Sequence, residues 1–151
     1  MTVELRTVTT IPFAAVRAHC RLGEISRSFK APLDQVWAYL RAHPALKRGH
    51  NVFLYHHVAD AARDGLDVDF GVEVDPAFTG ADGVTRAETP AGEAAVAVHR
   101  GPYGEMHVTH AAIHAWCREH GRTIGAASWE VYGDWTDDPA QLETTIYYLL
   151  A

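Results

Sequence analysis

The chain has 151 residues, 48% hydrophobic and 21% charged, with a formal net charge of -6. These totals describe an ordinary globular protein long enough for one real core, and they exclude a polycation made for nucleic acid or an anionic membrane. No apolar run approaches the roughly 20 residues of a membrane-spanning helix and no secretory leader is visible, so a cytoplasmic address is expected, with Cys20 and Cys117 as reduced, packed thiols.

Residues 3–8 alternate well enough for a strand, and residues 14–20 follow as a second. Ala31-Pro32 opens a helix with proline where a first turn tolerates it, and Leu33, Val36, Trp37 and Leu40 recur at helical spacing to about His43. Pro44 and Lys47-Arg48-Gly49 end it. Residues 51–58 and 66–74 read as strands around the charged turn 60–65.

The same order then returns. Residues 83–88 predict a strand, Pro90-Ala91-Gly92 a turn, residues 93–100 a strand broken by Gly101-Pro102-Tyr103, and residues 105–120 a helix with Gly121 where a C-terminal cap belongs. Residues 128–135 and 141–150 are the closing strands, around Asp137-Asp138-Pro139.

Local matches support a duplication. Ala-Ala-Val-x-x-His starts at Ala14 and again at Ala94, 80 positions on, and Gly-Glu starts at Gly23 and again at Gly104, 81 on. Trp129-Glu130-Val131-Tyr132 stands where Val52-Phe53-Leu54-Tyr55 stands in the first half, the two tyrosines 77 apart. A strand-strand-helix-strand-strand unit buries its apolar face poorly alone, whereas two share a core. The expected architecture is α+β, in one domain covering residues 1–151 with half-units at about 1–75 and 82–151. About eight antiparallel strands carry two helices on one face, related by a pseudo-twofold axis, with a ligand groove between helices and sheet.

Met106, His110, Ile113 and Cys117 form the inward stripe of the second helix, flanked by Trp116 and His114. His110 is either a hydrogen-bonded residue at the edge of the core or a polar group lining the groove. His107, His110, His114 and Cys117 share one helix without an H-E-x-x-H or C-x-x-C pattern, so no metal and no cofactor is expected. In Ser-Trp-Glu-Val-Tyr-Gly-Asp-Trp, alternation puts Trp129 and Val131 on one face and Glu130 and Tyr132 on the other. The default sends Trp129 inward and leaves Glu130 in water, yet a carboxylate beside an aromatic ring suits an organic cation. Periodicity leaves the choice open. Glu73 and Glu130, on strands of opposite halves, are candidates for a carboxylate pair. No nucleophile elbow and no phosphate-binding loop is present.

His-Arg-Gly-Pro-Tyr-Gly-Glu-Met before a helix ending Ala-Trp-Cys-Arg-Glu-His-Gly, then Trp-Glu-Val-Tyr-Gly and Thr-Thr-Ile-Tyr-Tyr-Leu-Leu, resembles the GyrI-like family. These are small-molecule-binding domains also found as effector-binding domains of AraC-type and multidrug-sensing regulators. The resemblance is densest over residues 88–150 and implies a pocket for aromatic or cationic ligands between helices and sheet. It implies that Glu130 and Tyr132 face that pocket, with Tyr103 as a wall and Trp116 and His110 on the helix. Many relatives carry an acid where this chain has Thr145, which argues for a neutral or singly charged ligand. The implied job is that of a stand-alone binding domain that sequesters or senses an amphipathic aromatic or cationic compound, without direct nucleic-acid or membrane contact. The first strand begins too early for a preceding helix-turn-helix. Two alternatives come with the family: hydrolysis of cyclopropanoid DNA-alkylating compounds, with Glu130 and Tyr132 as catalytic residues, and inhibition of a protein partner such as DNA gyrase.

Overall fold

The computed structural model describes the backbone of residues 1–151 and every side chain but that of Asp60. Its elements run β1 Glu4–Val8, β2 Pro12–Cys20, α1 Ile25–Ser28, α2 Lys30–Ala42, β3 Arg48–His56, α3 Ala61–Asp64, β4 Leu66–Val74, β5 Thr85–Glu88, β6 Gly92–Arg100, α4 Met106–Glu119, β7 Ile124–Tyr132 and β8 Glu143–Leu150. Both long helices lie where the periodicity puts them, and Gly121 caps α4 at φ +63, a left-handed conformation that glycine adopts without penalty. Two strands are displaced from expectation. β3 begins at Arg48, paired to Val74 across an irregularity before Asn51. β7 begins at Ile124 and ends at Tyr132, leaving Trp135 outside the strand and 72% exposed.

All eight strands form one antiparallel sheet in the order β1-β6-β8-β7-β3-β4-β2-β5. Exchanging β1–β4 for β5–β8 reverses that order and leaves it unchanged, the mark of a pseudo-twofold axis between β7 and β3. The first strand of each half pairs with the second strand of the other: β1 lies on β6, and β5 on β2. The sheet has to curl, because only residues 9–11 join β1 at one edge to β2 near the other, and an extended link reaches about 3.5 Å per residue. The two links meet at this seam: Thr89 N–H donates to the Ile11 carbonyl at 3.0 Å, and Ile11 N–H to Thr89 Oγ1 at 2.8 Å.

Curling gives the sheet two buried faces. The inner face holds Phe13, Ala15, Val52, Leu54, Ala94, Val96, Ala127 and Trp129, with Tyr147 stacked on Trp129 at 4.9 Å. On the outer face α2 packs over β2 and β4, and α4 over β6 and β8. The central pair β3–β7 carries neither long helix and becomes the floor of a cleft between them.

The ladders also calibrate the repeat. With Tyr55 and Tyr132 as counterparts, the pairings of β3–β4 with β7–β8 and of β2–β4 with β6–β8 place counterparts 76 apart between β4 and β8 and 81 apart between β2 and β6. The Gly-Glu repeat has that 81 spacing. The Ala-Ala-Val-x-x-His match at 80 is one residue out of register: Ala14 faces the helices and Ala94 the interior. Because strand side chains alternate, a one-residue slip reverses every facing.

Candidate functional site

Glu130 lies on the cleft floor, in β7, and is 4% exposed. Its neighbours on the strand, Trp129 and Val131, point into the curl, so Glu130 and Tyr132 turn toward the helices. Tyr55, from β3, donates its hydroxyl to Glu130 Oε1 at 2.5 Å, and Tyr132 donates to the same oxygen at 2.8 Å. His110 approaches from α4, with Nε2 2.7 Å from Glu130 Oε2 and Nδ1 2.7 Å from the Tyr148 hydroxyl. The geometry is self-consistent when Nε2–H donates to the carboxylate and Tyr148 O–H donates to Nδ1. A carboxylate so deep needs each of these donors.

The surroundings shift the phenols. Burial, then the charge of Glu130, pushes Tyr55 and Tyr132 well above the ordinary tyrosine value, and burial raises Tyr148 to about 12. All three remain donors at neutral pH. Burial, then the neighbouring His110, pushes His114 down.

Aromatic rings cover the carboxylate. Tyr132 meets Phe53 at 4.8 Å and Tyr103 edge-on at 5.5 Å, while Phe29 meets Phe53 at 5.8 Å. Tyr132 is packed against the apolar clusters under both helices. Gly101, at φ +131, lets β6 turn sharply into Pro102-Tyr103, which brings Tyr103 over the cleft. Tyr103 is 42% exposed.

Of the residues singled out in the sequence, the structure brings together Glu130, Tyr132, Tyr103 and His110. Trp116 does not join them: it stacks on His120 at 4.2 Å, further along α4. Glu73 is likewise excluded. It lies on the inner-face side of β4, where its carboxylate accepts the His50 backbone N–H at 2.8 Å, so it forms no pair with Glu130. Its face follows from alternation, since Val72 and Val74 pack under α2. Thr145, opposite Val131, also faces away from Glu130, so the residue there sets no ligand charge at this carboxylate.

Among the described residues, no group of three or more His, Cys, Asp or Glu is placed to hold a metal ion. His107 contacts the Gly104 carbonyl, and Cys117 is buried with its thiol pushed up by desolvation. Tyr55 and Tyr148 complete the network without having been singled out as site residues. Tyr55 had a signal, as the repeat counterpart of Tyr132; Tyr148 had none.

One antiparallel sheet with two long helices on its outer face, and a buried carboxylate under aromatic rings between them, defines an α+β fold. The profile of the GyrI-like small molecule binding domain family matches residues 1–150, and the chain belongs to that family. No curated protein matches the sequence. Among solved structures, the C-terminal domain of EcmrR is similar with a TM-score of 0.79 at 19% identity, covering 99% of this chain and 97% of that one. In the EcmrR–DNA complex the likeness, at a TM-score of 0.78 and 17% identity, covers 99% of this chain but 57% of that one. SAV2435 bound to tetraphenylphosphonium is similar at 0.68 and 12% identity, covering 100% and 94%. A hydrolase encoded by lin2189 from Listeria innocua is similar at 0.63 and 14%, covering 99% and 91%. At these identities the likeness is one of fold. Among the described residues, no helix is long and apolar enough to cross a membrane.

Proposed function

We propose that this chain binds an aromatic organic cation, or a neutral amphipathic aromatic, over Glu130 and thereby sequesters or senses it. The observation that carries this reading is a carboxylate 4% exposed whose three partners are two tyrosine hydroxyls and an imidazole, with no lysine or arginine among them. A ligand cation gains most where a buried negative charge lacks a permanent counter-ion, and the rings of Tyr103, Tyr132 and Phe53 suit its aromatic body. These rings meet across the cleft, so a ligand enters by displacing one; Tyr103 is the most exposed of them. The tetraphenylphosphonium complex of a protein with this fold supports the ligand class.

Calorimetric titration of tetraphenylphosphonium into wild type and Glu130→Gln tests the reading. The expected result is binding by wild type and a loss of affinity of about tenfold or more in the variant, the scale of one charge-assisted contact. Equal affinities would overturn it.

The His110–Glu130 pair supports a second reading, hydrolysis of a strained ring, as does the fold shared with a hydrolase. Both oxygens of Glu130 are already engaged by donors, which favours binding over base catalysis. Ring-opened product from a cyclopropanoid alkylator, formed by wild type and lost in Glu130→Gln, would reverse that preference.

A further inference from the structure

Thr144 is fully buried on β8, and its hydroxyl is the buried side-chain polar atom that finds no hydrogen-bond partner among the described residues. It stands in the sheet opposite Tyr132 of β7 on one side and His99 of β6 on the other. Alternation puts it on the helix-facing side, because Ile146 and Tyr148 of the same strand pack under α4. The polar side chains at both paired positions hydrogen-bond to other groups. His99 Nε2–H donates to the Pro102 carbonyl at 3.0 Å and Nδ1 takes the Thr109 hydroxyl at 2.7 Å, while Tyr132 O–H is spent on Glu130.

The chain contains its own control for this position. The counterpart of Thr144 in the first half, 76 residues earlier, is Val68, fully buried beneath α2. Threonine and valine have nearly the same shape, so the fold is served by valine, and a hydroxyl left without a partner in its place serves no packing purpose. Burying an unpaired hydroxyl is unfavourable, and the loss is recovered only when a partner arrives.

We propose that Thr144 is a specificity-determining residue of the Glu130 cleft: its hydroxyl takes a hydrogen bond from or to a polar group carried on the aromatic ligand beside Tyr132. The preferred ligand class is then an aromatic cation bearing a hydroxyl, amine or amide, rather than a purely hydrocarbon onium ion. This rests on the reading of Glu130 as the ligand's carboxylate.

The test uses matched probes: tetraphenylphosphonium, and its meta- and para-(hydroxymethyl)phenyl analogues, which keep the charge and add one non-ionising hydroxyl. Wild type, Thr144→Val, Thr144→Ser and Glu130→Gln are titrated with each. The expected result is that wild type prefers a hydroxymethyl analogue by about five- to tenfold, the scale of one neutral hydrogen bond. Thr144→Val abolishes that preference and Thr144→Ser keeps it. Thr144→Val without ligand should melt at the wild-type temperature or above, since an isosteric apolar group replaces an unpaired polar one.

A preference retained in Thr144→Val, or no preference in wild type, overturns the proposal while leaving Glu130 intact if Glu130→Gln weakens all probes. A lower melting temperature for Thr144→Val overturns it too, by giving the hydroxyl a structural job. Failure of every probe to bind wild type, or indifference of all probes to Glu130→Gln, overturns both readings.

Discussion

The two halves of the sheet share one plan and differ in what they place beneath their helices. In the second half the outer face carries Glu130, His110, Tyr148 and Thr144. At the corresponding ladder and helix positions the first half carries Phe53, Leu33, Val72 and Val68, and Leu33, Val36 and Leu40 of α2 match His110, Ile113 and Cys117 of α4. One scaffold therefore accepts an apolar or a polar filling at the same sites. Replacing buried polar groups by apolar ones of similar volume is often neutral or stabilising, so the scaffold does not require the polar filling. The two halves still cooperate at the site, since the first contributes Tyr55 to the carboxylate of the second.

Substitutions that make one half resemble the other test this contrast. The largest effect is expected for His110→Leu, which installs the Leu33 counterpart but strips Glu130 Oε2 of its partner: a loss of about 3 kcal/mol by urea denaturation. The combined variant Glu130→Leu/His110→Leu/Tyr55→Phe/Tyr132→Phe/Tyr148→Phe should recover most of that loss, because it removes every member of the buried network and leaves no hydroxyl unpaired. A combined variant as unstable as His110→Leu would show that the polar half cannot be exchanged for an apolar one.

Tyr55→Phe and Tyr132→Phe come next. Each removes one hydroxyl from Glu130 Oε1, at about 1.5–3 kcal/mol for a hydrogen bond to a charged group. Similar losses from the two would show that the carboxylate is shared between the halves, whereas a loss from Tyr132 alone would confine it to its own half.

The smallest effect concerns a polar cluster that only the first half possesses. On the other face of the sheet, Asp69 accepts from Arg17 Nε at 2.9 Å and from His56 Nε2 at 2.7 Å. Burial pushes its carboxyl up, but these hydrogen bonds and the charge of Arg17 outweigh it and hold Asp69 below the ordinary aspartate range. A depressed folded value contributes stability above the unfolded value of about 3.9 and loses it as pH falls through the folded one. Between about pH 5 and pH 2, wild type should therefore lose more stability than Asp69→Asn. Parallel pH profiles would mean that the cluster contributes nothing. The second half has Val98 and Thr145 where Arg17 and Asp69 stand, so no matching acid dependence is expected from it.

Much of this architecture was legible in the residues themselves. The helix stripes at Leu33–Val36–Leu40 and Met106–Ile113–Cys117, the alternation in the strands and the doubled element order depend on local periodicity, which tertiary contacts left undisturbed. The Gly-Glu repeat at 81 held because it marks the same turn into a helix in both halves, whereas the longer Ala-Ala-Val-x-x-His match misled by one residue. Small residues recur on either face of a strand, so their identity carries little register information.

Only the curled sheet decided the rest. Alternation assigns Trp129 and Glu130 to opposite faces but assumes that one face is wet; here the curl buries one and the helices the other, leaving Trp129 1% and Glu130 4% exposed. Strand register parts Glu73 from Glu130 and turns Thr145 away, and the assembled sheet draws Tyr55, Tyr132, His110 and Tyr148 from four elements around one carboxylate. Periodicity is a property of neighbouring residues, whereas the meeting of β3, β7, β8 and α4 depends on strand order, and strand order is set by how the two halves exchange their first strands.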